Sequence, residues 1–219
     1  MTGSAGTTVS QPRRVAVLDH GSGNLRSVTR ALARTGVEVV LTADVAEADA
    51  ADGVVVPGVG AYAACMTGLR AIGGDELVRR RVAAGRPVLG ICVGFQVLFT
   101  AGIEHGVRTE GVGVLTGEVN RLSVDRLPHM GWNTVTPGVG SHLFAPGAAE
   151  RFYFVHSYGV SGPVTSTTTN QPVIISTARY GEEFAAAVEA GVLAGTQFHP
   201  EKSADTGAAL LRRWVDQLA

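Results

Sequence analysis

Charge is scarce in this chain. Only 17% of its 219 residues are charged, and 18 Lys and Arg against 19 Asp and Glu leave a formal net charge of -1. No Lys/Arg-rich tract appears, which argues against nucleic acid or an anionic membrane as a partner. Long apolar runs are missing too: none approaches the roughly 20 residues that a membrane span needs. The opening MTGSAGTTVSQPRR has no apolar segment ahead of its basic pair, so it does not read as a secretory signal. Residues 1–13 read instead as a disordered tail. Cysteine is limited to Cys65 and Cys92, enough for one bridge at most. Without an export signal, free thiols in a reducing cytoplasm are expected.

Hydrophobic residues make up 45% of the chain, enough for a buried core. The first half alternates strand and helix signals. RVAVLD (14–19) is a β-branched apolar run that ends in the glycine turn HGSGN. LRSVTRALARTG then places Leu25, Val28 and Leu32 at helical spacing. VEVVLT, GVVVPG and RPVLGIC read as further strands, with helices over about 61–70 and 75–84 and another over GFQVLFTAG. Strands apolar on both faces, alternating with helices, predict an α/β fold: a three-layer, mostly parallel central sheet with helices on both faces. The second half consists of shorter strand-like pieces, among them GVGVLTGEVNRL, WNTVTPG, RFYFVHSYGV, QPVIISTARYG and FAAAVEAG, expected to extend that sheet with antiparallel or mixed strands. ADTGAALLRRWVDQL closes the chain as an amphipathic helix with Leu210, Leu211, Trp214 and Leu218 inward. No linker or repeat divides 14–219, which reads as one domain.

Two glycine turns invite chemistry. GSGN after the first strand starts a G-x-G-x-x-G pattern with Gly21 and Gly23, but Arg26 stands where the third glycine belongs, so a plain turn is favoured. Gly90-Ile91-Cys92-Val93-Gly94 is different. It is G-x-C-x-G at a strand-to-helix turn, the cysteine counterpart of the G-x-S-x-G nucleophile elbow. A tight turn there lifts the side chain out of the sheet, the following helix N-terminus favours thiolate, and the Val93 amide faces a developing oxyanion. The alternative for Cys92 is a small buried hydrophobe, and for Cys65, which has no glycine frame, that reading prevails.

A thiol nucleophile needs a base, and the base needs orienting. His20, His105, His129 and His142 lie in turn-like or polar segments and read as surface residues. His199 lies at a strand end in His199-Pro200-Glu201, where alternation puts the carboxylate on the side of the imidazole. Strand C-terminal ends of an α/β sheet gather at one edge, so Cys92 and His199 can meet there. A lone H-x-E is also a fragment of metal sites, but no further ligand cluster supports a metal. Val56-Pro57-Gly58-Val59-Gly60 ends a strand on the same edge, and an amide of Gly58 or Val59 can pair with that of Val93 as an oxyanion hole.

With Gly90, Cys92, Gly94 and Gln96 matching G-x-C-x-G-x-Q, Pro57 to Gly60 matching a PGxG loop, and His199 to Glu201 matching a terminal H-P-E, the chain resembles the class I (triad-type) glutamine amidotransferases. DHGSGNLRSV, PHMGWN (128–133), YFVHSY (153–158), Tyr180-Gly181 and HPEKS are most similar to the glutaminase subunits of imidazole glycerol phosphate synthase, from about residue 14 to the C-terminus. The family usually has an aromatic where His20 stands, and Leu and Met where Val93 and Phe95 stand. The resemblance implies that Cys92 attacks the side-chain amide of glutamine, that His199 shuttles the proton to departing ammonia, and that Glu201 orients His199. It further implies that Gly60, Gln96, Glu104, Ser157 and Tyr158 line the glutamine pocket, with Glu104 suited to the substrate ammonium. Ammonia would pass to a (β/α)8-barrel cyclase subunit in a heterodimer, giving imidazole glycerol phosphate and aminoimidazole carboxamide ribotide. Asn24, Met130, Trp132, Tyr153 and Lys202 would lie at or near that interface. Neither a cofactor nor a metal is implied. The competing readings are the glutaminase of another biosynthetic complex, such as anthranilate synthase, and an inactive scaffold of the same fold.

Overall fold

Val15, Ala16, Val17 and Leu18 are all fully buried, as a strand covered on both faces must be. They form β1 (Arg14–Leu18) of a computed structural model that describes residues 12–147 and 149–218. After it come α1 (Leu25–Ala33), β2 (Glu38–Thr42), α2 (Val45–Ala50), β3 (Gly53–Gly58), α3 (Tyr62–Ala71), α4 (Gly74–Ala83), β4 (Val88–Cys92) and α5 (Val93–Gln96). The second half holds β5 (Phe99–Glu104), β6 (Val107–Glu110), β7 (Leu115–Arg121), β8 (His129–Val135), β9 (Glu150–His156) and β10 (Tyr158–Gly159). β11 (Val173–Tyr180), β12 (Glu182–Ala190), β13 (Leu193–Thr196) and α6 (Ala204–Asp216) complete the chain.

The central sheet has seven strands in the order β11-β12-β13-β4-β3-β1-β2. From β13 to β2 neighbouring strands pair in parallel, while β12 and β11 pair antiparallel at one edge. Helices cover both faces. Gly53 and Gly58 of β3 lie an odd number of residues apart and so face opposite ways. A Cβ on Gly53 would meet Trp214 of α6, whereas one on Gly58 would meet Cys65 of α3 and the backbone of α5. Leu210, Leu211, Trp214 and Leu218 are buried, as the pattern predicts.

Two expectations fail. The helix expected over GFQVLFTAG is a single turn, α5, and the chain then extends as β5. Tertiary pairing overrides the local pattern there: β5 is held between β6 and β7, and Gly102 lies against the ring of Tyr62. The second-half strands also do not all extend the central sheet. Only β11, β12 and β13 join it. β10-β7-β5-β6 form a separate four-stranded sheet, and β8 and β9 form a hairpin of their own. The tail expected over residues 1–13 lies almost wholly outside the described residues.

Candidate active site

The centre of the site is a backbone contortion. Cys92 ends β4 at φ 56 and ψ -114, a left-handed conformation that a side-chain-bearing residue holds only under constraint. Three glycines supply the constraint. A Cβ on Gly94 would overlap the carbonyl oxygen of Val56, one on Gly58 would overlap the amide of Gly94, and one on Gly90 would lie 2.7 Å from the carbonyl of Gly94. Without side chains at these points the elbow presses directly on the end of β3. α5 spans four residues, so the helix dipole expected to favour thiolate reduces to the local amides of one turn.

Cys92 opens into a cavity of about 300 Å³, at the small end of the range for ligand pockets. Val93, Gln96, Glu104, Ser157, Tyr158, His199 and Lys202 line the same space, as do Val59 and Gly60 from the PGVG loop. The structure therefore brings together the expected nucleophile, base and all five of the expected glutamine-binding residues. Glu104 is held in place because its carboxylate accepts the Tyr62 N–H at the start of α3, at 2.8 Å.

Glu201 does reach His199, but not by the expected strand alternation: Pro200–Lys202 form a single 3-10 turn, and that turn brings the carboxylate back to the imidazole. The imidazole Nδ1 lies 2.8 Å from Glu201 Oε1, with the two side chains only 2% and 1% exposed. Nε2 is buried with no hydrogen-bond partner. Burial alone would depress the basicity of this imidazole. The Cys92 sulfur and the Glu201 carboxylate outweigh it and raise the pKa to about 9. The imidazole is thus a proton carrier with one nitrogen tied and the other available to the cavity. The segment after β13 that bears it is braced by β9 and by Ser203: the His199 N–H donates to the Tyr153 carbonyl at 2.9 Å, and Ser203 Oγ donates to the His199 carbonyl at 2.6 Å.

The expected oxyanion donors are only partly in place. Val93 and Val59 line the cavity, while Gly58 is pressed onto Gly94. The Val59 N–H is bonded to Ser22 Oγ at 3.2 Å, and the Ser22 hydroxyl donates to the Val59 carbonyl at 2.6 Å. That amide is therefore engaged by the β1–α1 turn rather than offered to a ligand.

Of the residues expected at a partner surface, Met130 is 60% and Trp132 45% exposed on β8, and Trp132 sits edge-on to Tyr153 with ring centroids 6.3 Å apart. Lys202 is exposed and also reaches the cavity. Asn24 is half-buried just ahead of α1, away from the cavity lining. Cys65 is buried, and desolvation, reinforced by the nearby Cys92, pushes its thiol up to about 12, in keeping with a core role. Two of the histidines read as surface residues are not. His20 is buried with Nε2 2.6 Å from the Pro57 carbonyl, and His129 is buried beneath the β8–β9 hairpin; both find polar partners that turn-like flanks do not reveal. His105 and His142 are exposed.

Gln197 escaped the sequence reading. It is fully buried, its Oε1 accepts from Gln96 Nε2 at 2.9 Å, and its Nε2 lies 3.9 Å from Cys92 Sγ. The i, i+2 spacing of Gln197 and His199, read as alternation along an extended segment, would have placed it on the side of His199. Among the described residues no group of three or more His, Cys, Asp or Glu side chains is placed to hold a metal ion. Nor is any described helix long and apolar enough to cross a membrane.

Residues 16–218 match the family described as glutamine amidotransferase class-I. The chain is 55% identical over 207 residues to the imidazole glycerol phosphate synthase subunit HisH of Mycolicibacterium paratuberculosis, covering 94% of this chain and 98% of that one. It is 53% identical over 214 residues to the protein of the same description from Streptomyces avermitilis, covering 96% and 99%. Among solved structures, PurLQS from Thermotoga maritima overlays with a TM-score of 0.71 at 19% identity, over 95% of this chain and 100% of that one, a likeness of fold.

Proposed function

The chain belongs to the class-I glutamine amidotransferase family, and from that premise we propose that it is the glutaminase subunit of an imidazole glycerol phosphate synthase. The observation that carries the reading is the pairing of an elbow thiol with an imidazole whose Nδ1 is tied to Glu201 and whose Nε2 is buried without a partner.

Cys92 Sγ, as thiolate, attacks the side-chain carbonyl carbon of glutamine. The carbonyl oxygen becomes an oxyanion facing the Val93 N–H. A second donor, the Val59 N–H, becomes available once its peptide turns away from Ser22. His199 Nε2–H then gives its proton to the amide nitrogen, the C–N bond breaks, and ammonia leaves a Cys92 thioester. Water, giving a proton to the now neutral His199, cleaves the thioester to glutamate and restores the pair. Glu201 keeps the ring in one orientation throughout. Ammonia passes to a (β/α)8-barrel cyclase subunit, which closes the imidazole ring and releases aminoimidazole carboxamide ribotide. A closed passage suits the chemistry, because water would protonate ammonia and remove its nucleophilicity. The exposed Met130 and Trp132, beside Tyr153, offer that partner an aromatic and thioether surface next to the base.

The test uses the assembled pair. Cys92→Ala should lower glutamine-dependent synthesis by roughly a thousandfold or more while ammonia-dependent synthesis survives. Equal loss of both would count against the assignment. The isolated chain should hydrolyse glutamine weakly, and the cyclase with its nucleotide should raise the rate.

A further inference from the structure

At the cavity wall lies a buried imidazole pair that the mechanism above does not use: His156 lines the cavity and His129 stands behind it. His129 Nδ1 is 3.0 Å from His156 Nε2. At one end His156 Nδ1 is 2.9 Å from the Tyr158 carbonyl, and at the other His129 Nε2 is 3.2 Å from Asn133 Nδ2. Both rings are buried and, among the described residues, neither is ion-paired with a carboxylate; desolvation pulls His129 to about 4 and His156 to about 3, so both are neutral at pH 7. A neutral imidazole has one donor and one acceptor nitrogen.

The two ends of the chain dictate the same direction independently. The Tyr158 carbonyl can only accept, so His156 Nδ1 carries the proton and its Nε2 must accept. His129 Nδ1 then donates, and His129 Nε2 accepts from Asn133. The Asn133 amide is fixed in the donating sense because its Oδ1 accepts the Thr134 N–H at 2.8 Å, while Nδ2 also reaches the Arg179 carbonyl at 3.0 Å. The row has one self-consistent arrangement of protons. Stacking of His129 on Tyr180 and Phe154, with centroids 4.2 and 4.8 Å apart, holds its plane.

The row ends inside the candidate glutamine site. The Tyr158 carbonyl that receives His156 also receives Gln96 Nε2 at 2.8 Å. The same amide nitrogen donates to Gln197 Oε1 at 2.9 Å, and Gln197 Nε2 points to Cys92 Sγ. Both hydrogens of the Gln96 amide are thereby used, so an acceptor oxygen is what Gln96 can offer to a ligand. We propose that His129 and His156 are positioning residues for this reaction. They anchor the Tyr158 carbonyl, and through it fix the rotamer and donor–acceptor sense of Gln96 against a substrate bearing N–H groups. This rests on the glutaminase reading.

The experiment measures glutamine KM and kcat on the pair assembled with the cyclase, for the parent and for His156→Asn, His156→Gln and His156→Phe. Asparagine places an amide N–H where Nδ1 stands, whereas glutamine places it nearer Nε2. Asn should stay within about twofold of the parent KM, while Gln and Phe should raise KM by roughly tenfold with a smaller change in kcat. His129→Phe, which keeps the stacking, should fall between. A parent-like KM for both Gln and Phe would overturn the proposal, and so would equal impairment of Asn and Gln, the pattern of a merely structural ring. If Phe does not fold, the Asn–Gln contrast decides alone. A parent pair that releases no glutamate from glutamine would sink the glutaminase reading itself, a failure distinct from an unchanged KM in the variants.

Discussion

The two walls of the cavity are built by different physics. On the elbow side, Gly90 to Gln96 is buried throughout, and backbone overlaps a Cβ could not survive wedge it against β3. On the loop side, Val59 is 39% exposed, a Cβ on Gly60 would meet nothing within 4 Å, and the Val59 peptide is held by the Ser22 hydroxyl. Hard-core packing permits no small adjustment. Two hydrogen bonds of about 1 kcal/mol each do. On the proposed mechanism the attacking atom is thus fixed, while the Val59 peptide, the proposed second oxyanion donor, stays adjustable.

Substitutions on each wall can break that contrast. Gly94→Ala should have the largest effect, because the new methyl has no room beside the Val56 carbonyl. Glutamine hydrolysis should vanish, and urea unfolding should show a loss of about 3 kcal/mol. Gly60→Ala, in open space but at φ +82, should cost only about 1 kcal/mol. Equal losses would erase the distinction between the walls.

Glu201→Gln ranks next. It keeps the shape around His199 but removes the charge, and turnover should fall about tenfold or more. It also carries a pH signature. The folded pKa of His199 is raised from 6.5 to about 9, so its contribution to stability is complete below pH 6.5 and is lost as pH climbs through 9. In the variant, burial opposes the Cys92 contribution alone, so the folded pKa should be lower, and the loss, which starts near 6.5 in both proteins, should be smaller and end at lower pH. Urea midpoints at pH 6 and pH 9 that differ by the same amount in parent and variant would refute the charge coupling. Ser22→Ala should be the gentlest change. Freeing the Val59 peptide should raise the unstimulated hydrolysis of the isolated chain by roughly threefold to tenfold, narrowing the gap to the activated pair. An unchanged basal rate would mean that something other than Ser22 restrains the loop.

The elbow wall was also the readable one. Glycines flanking Cys92, and the i, i+2 relation of His199 and Glu201, are short-range patterns, and the parallel half of the sheet follows from apolar runs buried on both faces. What the pattern missed is set by long-range partners. Phe99 to Gly102 looks helical in isolation and becomes part of a strand because β6 and β7 flank it. His129 looks like a surface residue beside Pro128, yet its burial is made tolerable by an imidazole 27 positions away. Gln197 acquires meaning only from Gln96, separated from it by 101 positions. The Ser22 contact across to Val59 joins two turns that each read as ordinary.

The torsion angles at Cys92 set folding and chemistry at odds on a single residue. A chain selected for robustness alone would place glycine there, since glycine reaches φ 56 without penalty. Trimming the thiol to Gly should therefore leave a protein more stable than trimming it to Ala by about 1 kcal/mol, the reverse of the usual ranking inside regular structure. A thermal melt of the two inert variants would show how much fitness as a fold this position gives up in order to hold a reactive sulfur.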